Sequence, residues 1–155
     1  MQLETNLKRI KEIAKEKEAE NLSFQKYLKE QDSDEIDSIV HRLNDDITPK
    51  ISCLECGNCC MNLRPIATNE EVGKYVQEKD IEEFKYSMSF SCTHLKDKGC
   101  TIYSERHEEC RSYPYLDRNK FITRITGVLQ NYEICPIVFN TFELLKIETE
   151  WDINK

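Results

Sequence analysis

Residues 53–60 read CLECGNCC, so four cysteines fall within eight positions and the last two are adjacent. The first three form a CxxCxxC triplet, whose two-residue gaps let one short loop turn several sulfurs toward a single point. Gly57 lies inside this loop, where glycine permits an unusual backbone angle or a close approach. Such triplets bind tetrahedral zinc or supply three ligands to an iron–sulfur cluster, since both centres use soft thiolates. The segment therefore predicts metal binding and leaves the metal open.

Four further cysteines follow at long intervals, so the fold must bring their sulfurs together. Eight thiolates can supply two four-ligand sites or one polynuclear site. Successive side chains on extended backbone diverge, so we expect Cys60 to face a second centre or to bridge two metals beside Cys59. Any single downstream cysteine could instead be a small buried hydrophobe. The candidate metal ligands are Cys53, Cys56, Cys59, Cys60, Cys92, Cys100, Cys110 and Cys135.

The cellular compartment decides how eight cysteines are interpreted, because an oxidising one favours disulfides and a reducing one favours metal ligands. The first twenty residues are charged throughout and lack the apolar segment of a signal peptide. No run approaches the ~18 apolar residues of a transmembrane helix. The formal net charge is −7 without a long Lys/Arg block, which argues against nucleic acid. We therefore expect a cytoplasmic protein that binds metal and neither membrane nor nucleic acid.

Two histidines and two arginines lie within the second group of cysteines. His94 or His107 could replace a thiolate, although a lone histidine near cysteines more often lies beside the ligands or at the surface. Arg106 and Arg111 flank Cys110 on either side. A guanidinium there could lower the pKa of thiols, bind an anionic substrate, or simply pair with a neighbouring glutamate.

Residues 1–48 contain no cysteine, glycine or proline, and their apolar positions recur at helical spacing. This pattern predicts two or three helices. Asp32 or Ser33 can cap the last of them, and His41 on that helix is expected at the surface. Thr48 precedes a proline and therefore ends the helical region.

The rest of the chain mixes helical and extended patterns. A capping box beginning at Thr68 predicts a helix over 68–80, and a second one begins at Asp80. CTIY at 100–103 predicts a short strand, and KFITRITGV at 120–128 predicts another after a turn near 117–119. Pro136 suits the first turn of a final helix.

Together these elements predict an α+β fold whose core is a small, irregular, metal-stabilised cysteine domain with short strands. The predicted boundaries are a helical region over 1–48, the cysteine domain over 49–146 and a tail over 147–155.

The order and spacing of all eight cysteines resemble the YkgJ-type cysteine-cluster family, a zinc- or iron-chelating domain named for its CxxCxxCC motif. The resemblance spans roughly residues 53–136 and implies that the eight cysteines are the functional residues. One departure is that the family usually has Arg-Pro before its Cys-Arg pair, where this chain has Arg106 and His107. This raises His107 as a ligand candidate. A related cysteine domain occurs in flagellin lysine methylases, which suggests an attachment to modification chemistry.

Three functions follow from these observations. The first is a metal-binding protein holding an iron–sulfur cluster or zinc, with the cluster favoured because a triplet with a remote Cys-Pro is similar to ferredoxin ligation. The second is an enzyme or accessory in redox or protein modification. The third is a structural zinc adaptor whose helical region, residues 1–48, binds a partner protein. No P-loop, HExxH or serine-triad pattern is present, so no catalytic residue is assigned and enzyme activity stays open.

Overall fold

A computed structural model of the chain describes residues 2–62, 69–73, 76–82, 92, 94–97 and 99–152. The chain divides into two compact units. The helical unit comprises Met1–Ser52 and Pro114–Lys155, and the cysteine unit comprises Cys53–Tyr113. These units differ from the boundaries 1–48, 49–146 and 147–155, which stay a prediction about domain organisation.

Short helices dominate both units. The helices are α1 Leu7–Glu16, α2 Glu18–Leu28, α3 Ser33–Ile47, α4 Cys53–Cys56, α5 Asn58–Asn62, α6 Asn69–Gly73, α7 Glu108–Ser112, α8 Phe121–Leu129 and α9 Pro136–Glu148. Single 3₁₀ turns span Thr48–Lys50, Glu78–Asp80 and Tyr103–Glu105. Strands β1 Leu95–Lys96 and β2 Gly99–Cys100 pair antiparallel, with Leu95 opposite Cys100. The predicted α+β class is confirmed, with helix predominant. Among the described helices, none is long and apolar enough to cross a membrane.

The helical unit is built on an aromatic core. Phe142 of α9 is fully buried, and its ring centroid lies 6.4 Å from Phe24, 5.8 Å from Phe121 and 6.0 Å from Tyr132. These rings come from both ends of the chain. The unit is therefore assembled from the segments before and after the cysteine region.

The helix starts follow the capping signals in the sequence. Asp32 accepts hydrogen bonds from the backbone N–H of Asp34 at 3.1 Å and of Glu35 at 2.9 Å. Pro136 occupies the first turn of α9, where its missing N–H costs nothing. The three N-terminal helices and the final helix are confirmed. His41 differs from its predicted surface position, because it is half-buried and its Nε2 is shielded from solvent.

The predicted strand over 120–128 is wrong, because these residues form α8. Phe121, Ile125 and Val128 recur at helical spacing and are all buried, and this period matters more than the local alternation. The predicted strand at 100–103 is shorter than expected, since β2 ends at Cys100 and a 3₁₀ turn begins at Tyr103. The helix predicted over 68–80 is described only as α6. Its cap Thr68 and most of the following predicted helix lie outside the described residues.

A buried carboxylate from α3 fixes the start of α8. Asp37 is 6% exposed and accepts hydrogen bonds from the backbone N–H of Lys120 at 2.6 Å and of Phe121 at 2.8 Å. Lys120 itself has φ 60, a left-handed conformation. Asp37 thus acts as an N-cap supplied from a distant part of the chain, where negative charge also complements the helix dipole.

Replacing Asp37 with alanine is expected to lower the free energy of unfolding of the helical unit by about 3 kcal/mol, because two charge-assisted hydrogen bonds are lost and two N–H groups are left unpaired. Urea denaturation followed by circular dichroism measures this change. Asp45→Ala on the exposed face of the same helix is the control, expected to change stability by less than about 0.5 kcal/mol. Equal effects of the two substitutions would contradict the capping role.

A second polar contact joins α2 to α9 inside the helical unit. The Lys146 Nζ, 6% exposed as a residue, donates to Glu20 Oε1 at 2.8 Å, Asn21 Oδ1 at 2.6 Å and Glu143 Oε1 at 2.8 Å. Burial would raise the pKa of Glu143, but the hydrogen bonds it accepts, that from Lys146 first, outweigh burial and hold this pKa below its ordinary value. The buried ammonium is therefore fully paired, as a low-dielectric interior requires.

Candidate metal centre

The CxxCxxCC segment folds as two helical turns joined by a glycine, where a loop was predicted. Gly57 has φ +58, and its N–H donates to the Cys53 carbonyl at 3.1 Å while its carbonyl accepts from Met61 N at 3.3 Å. A side chain at this position would be strained in the left-handed conformation. Gly57 therefore ends α4 and lets α5 begin in a new direction.

The β1–β2 hairpin packs directly on α4. A Cβ at Gly99 would come within 2.9 Å of Leu54 Cδ1 and 3.0 Å of the Leu54 carbonyl oxygen, so only glycine fits. Cys92 N donates to the Cys60 carbonyl at 2.8 Å, which fixes the chain just before the hairpin to α5. Backbone contacts thus bring the second group of cysteines to the first. Sequence analysis did not single out Gly99, whose only signal was its place beside Cys100.

Cys59 and Cys60 interact with each other, which differs from the divergence expected of extended backbone. They are successive residues of α5, and a hydrogen bond with Cys59 is the largest cause that lowers the pKa of Cys60 to about 7. Burial opposes this shift, and the positive charge of Arg106 adds to it. Cys60 is therefore half ionised near neutral pH and ready to bind a soft cation.

The other cysteine thiols influence one another's ionisation. Burial, followed by the charges of Cys56 and Cys60, raises the pKa of Cys53, although Arg106 opposes the increase. These shifts show that the thiols of the first group lie close enough to repel one another when ionised.

The thiols of the second group also influence one another's ionisation, and Cys60 of the first group influences theirs. Burial and then the charges of Cys92, Cys60 and Cys100 raise the pKa of Cys110 to about 11, with Arg106 again opposing. Cys60 thus interacts with members of both groups. The seven cysteines of the cysteine unit form one connected set, which we call the thiol network: Cys53, Cys56, Cys59, Cys60, Cys92, Cys100 and Cys110.

Cys135, the eighth candidate ligand, belongs to the helical unit. It is 7% exposed and immediately precedes α9, where its carbonyl accepts from Phe139 N at 2.9 Å. Its backbone role is therefore that of a helix-start residue.

The donor set of the thiol network fits a thiophilic metal. In the part of the chain that the structure describes, no three Cys, His, Asp or Glu side chains stand in ligand geometry around one point. Soft sulfur donors favour zinc or iron over magnesium or calcium.

The histidines and arginines near the network have different surroundings. His107 is 6% exposed and its carbonyl accepts from Arg111 N at 3.1 Å, at the start of α7. Burial lowers the pKa of His94. The Arg111 Nη2 lies 2.7 Å from Glu108 Oε2, so this arginine forms an ion pair with a neighbouring glutamate, one of the three roles that the sequence left open. Arg106 is the guanidinium whose charge reaches the thiols.

The described part of the cysteine unit has almost no apolar interior of its own. Among the described residues, every buried hydrophobic side chain belongs to the helical unit. In the described part of the cysteine unit, the buried positions are Gly57 and His107. Metal–thiolate bonds would cross-link this part of the unit.

A helix-rich unit organised around seven coupled thiols defines a cysteine-rich, metal-chelating domain. The comparison with protein families agrees: a model described as "CxxCxxCC: Putative zinc- or iron-chelating domain" matches residues 52–136 and contains all eight cysteines. The match covers more than half of the chain, which therefore belongs to this family. Neither the curated proteins nor the solved structures give a significant match.

Proposed function

We propose that the cysteine unit holds an iron–sulfur cluster or zinc in a single connected thiolate centre. The observation that supports this best is the position of Cys60, which interacts with Cys59 and Cys53 of the first group and with Cys110 of the second. Two independent sites would need two separate sets of thiols. One centre, mononuclear or polynuclear, explains why the motif has a fourth cysteine directly after the third.

The proposed ligands are drawn from the thiol network. Cys53 and Cys56 lie one helical turn apart on α4, an i, i+3 spacing that places both on the same side of the helix. Cys60 and Cys110 supply the connection between groups. Cys135 stays the eighth candidate ligand on the sequence pattern alone.

The metal decides what the centre does. Iron–sulfur is the favoured version on the sequence pattern alone, in which the CxxCxxC triplet and the remote Cys135-Pro136 pair are similar to ferredoxin-type ligation. A cluster would supply one-electron chemistry to a redox or protein-modification reaction in the cytoplasm, whereas closed tetrahedral zinc would supply structural cross-links only. In either version the thiols of this chain bind and orient the metal, and the lowered pKa of Cys60 aids its deprotonation.

A structural zinc adaptor is the second candidate, and a surface feature of the helical unit favours it. Leu22 on α2 is 50% exposed and lines a groove of about 420 Å³ with Ala14 and Leu129. A protein partner bound through residues 1–48 would use this exposed face, because the opposite faces of α1–α3 form the core. Leu22→Asp would then abolish partner capture without changing metal content, and loss of both would contradict the adaptor function.

Anaerobic purification followed by elemental analysis and a visible spectrum tests the proposed function. A brown protein with iron, inorganic sulfide and broad thiolate-to-iron absorbance supports the cluster. A colourless protein with stoichiometric zinc overturns the cluster version and leaves the structural one. A folded protein without either metal overturns the proposed function altogether.

A further inference from the structure

An exposed leucine stands beside a groove on the surface of the helical unit. Leu22 of α2 is 50% exposed, and it lines the groove of about 420 Å³ together with Ala14 of α1 and Leu129 of α8. Covering this apolar area would be favourable, because it removes the leucine side chain from water. This part of the surface, residues 14–26 with Leu129, is called the Leu22 face below.

The buried polar side chains that line the groove already form hydrogen bonds within the helical unit. They are Asn21, Gln25 and Tyr132. The Asn21 Oδ1 accepts from Lys146 Nζ at 2.6 Å, and the Tyr132 hydroxyl donates to Glu143 Oε1 at 2.8 Å. The Gln25 Nε2 donates to Thr126 Oγ1 at 2.6 Å. A small polar ligand would have to compete with these bonds, so the groove favours an occupant that binds through apolar and charged groups.

The charged residues of α2 are arranged symmetrically about Leu22. Glu18 lies one helical turn before it and Lys26 one turn after it, so the three exposed side chains form one stripe along the helix. In the part of the chain that the structure describes, neither Glu18 nor Lys26 forms an ion pair. Both charges are therefore available to a molecule that covers Leu22.

Such a stripe is complementary to itself when two copies of α2 meet in antiparallel orientation. A two-fold axis at Leu22 would place Glu18 of each copy opposite Lys26 of the other, with the two leucines side by side. Each copy would then supply one carboxylate and one ammonium to the contact, and both charges would be paired. The order of charges along α2 thus favours a second copy of the chain over an occupant of uniform charge.

The groove beside the stripe fits the same occupant. Its charged lining residues are Lys15, Glu18 and Glu133. Carboxylates therefore outnumber ammonium groups in the lining, and the Lys26 side chain of a second copy would meet them. The Leu22 side chain of that copy would contact the apolar lining formed by Ala14 and Leu129.

We propose that the Leu22 face docks on a second copy of this chain, in an antiparallel two-fold contact in which Leu22 of each copy enters the groove of the other. A contact in which both copies use the same surface closes at two chains, so it gives a dimer and not a longer assembly. Every residue of the contact belongs to the helical unit. The contact therefore does not depend on the metal proposed for the cysteine unit.

Sedimentation velocity over a series of protein concentrations, in reducing buffer that prevents intermolecular disulfides, tests the proposal. We expect the wild type to sediment as two chains at high concentration. Leu22→Asp should raise the dissociation constant of the dimer by at least about 30-fold, the scale of a residue at the centre of an interface. Ile147→Asp is the matched control, because Ile147 is 66% exposed on α9 and does not line the groove. It should leave the dissociation constant within about twofold of wild type, since a distant added charge is screened by salt.

Charge reversal tests the antiparallel arrangement. Glu18→Lys and Lys26→Glu should each raise the dissociation constant by roughly 5–30-fold, because each turns two attractive pairs into two repulsive ones. The double variant restores both pairs with their charges exchanged, so its dissociation constant should return to within about threefold of wild type. Circular dichroism of each variant checks that the helices are retained.

Three results would overturn the proposed contact. A wild type that stays monomeric at every concentration overturns it and leaves the groove to a different protein. A dimer that Leu22→Asp leaves unchanged, or that Ile147→Asp weakens equally, shows that the copies meet elsewhere. A double charge variant as weak as the single ones rules out the antiparallel arrangement. Metal content measured on the same samples separates this inference from the proposed function, because a dimer without metal would overturn that function and leave the contact standing.

Discussion

Replacing Cys60 with serine is expected to reduce the metal content to less than about a tenth of wild type and to unfold the cysteine unit while the helical unit stays folded. Cys60 interacts with both cysteine groups, so its loss breaks the centre at the point of connection. Without metal, the described part of the cysteine unit has no buried apolar side chain to hold it together. Amide hydrogen exchange followed by mass spectrometry measures the result.

The exchange pattern should be local. The backbone N–H of Cys92 donates to the Cys60 carbonyl and that of Thr101 to the His94 carbonyl, each at 2.8 Å, and both should lose protection from exchange. The backbone N–H of Phe139 in α9 should keep its protection. Met61→Ala is the matched control, because Met61 is the next residue of α5 and is 49% exposed. Cooperative loss of protection in both units would contradict a metal dependence confined to the cysteine unit.

Replacing Phe142 with alanine is the second large effect, expected to lower the free energy of unfolding of the helical unit by about 3–5 kcal/mol. The ring is fully buried against Phe24, Phe121 and Tyr132, so the substitution removes buried area and leaves a cavity among three aromatic side chains. Urea denaturation monitored by helical circular dichroism measures the loss.

Ile147 is the control on the same helix. It is 66% exposed, and Ile147→Ala should change stability by no more than about 0.5 kcal/mol. If Phe142→Ala lowers the free energy of unfolding by less than about 1 kcal/mol, the cost is far below that usual for truncating a buried aromatic residue. Such a result would show that the aromatic rings are not the centre of the core.

Sequence spacing identified the features whose cause is local. The capping by Asp32 and the Pro136 start of α9 each depend on residues within one turn of one another. The strand predicted over 120–128 failed because an alternation of apolar and polar residues coexists there with a helical period. Asp37, which caps that helix from α3, is 83 residues away from Lys120 and could not be paired with it from sequence alone.

The structure corrects the geometry of the centre in the same way. Cys59 and Cys60 were expected to diverge on extended backbone, but α5 places them on helical backbone where they hydrogen-bond. Arg111 is nearer to Cys110 in sequence, yet Arg106 is the residue whose charge reaches it. The close approach of Gly99 to Leu54, which lets the hairpin pack on α4, is likewise a contact between distant segments.

Native mass spectrometry of anaerobically purified wild type and Cys60→Ser, counting metal ions on each chain, tests the connected thiolate centre most directly. We predict metal-loaded chains for the wild type and bare chains for the variant, because Cys60 joins both groups of cysteines. A Cys60→Ser population that retains half of the wild-type metal on every chain would contradict this account, since it would show two centres that bind metal independently.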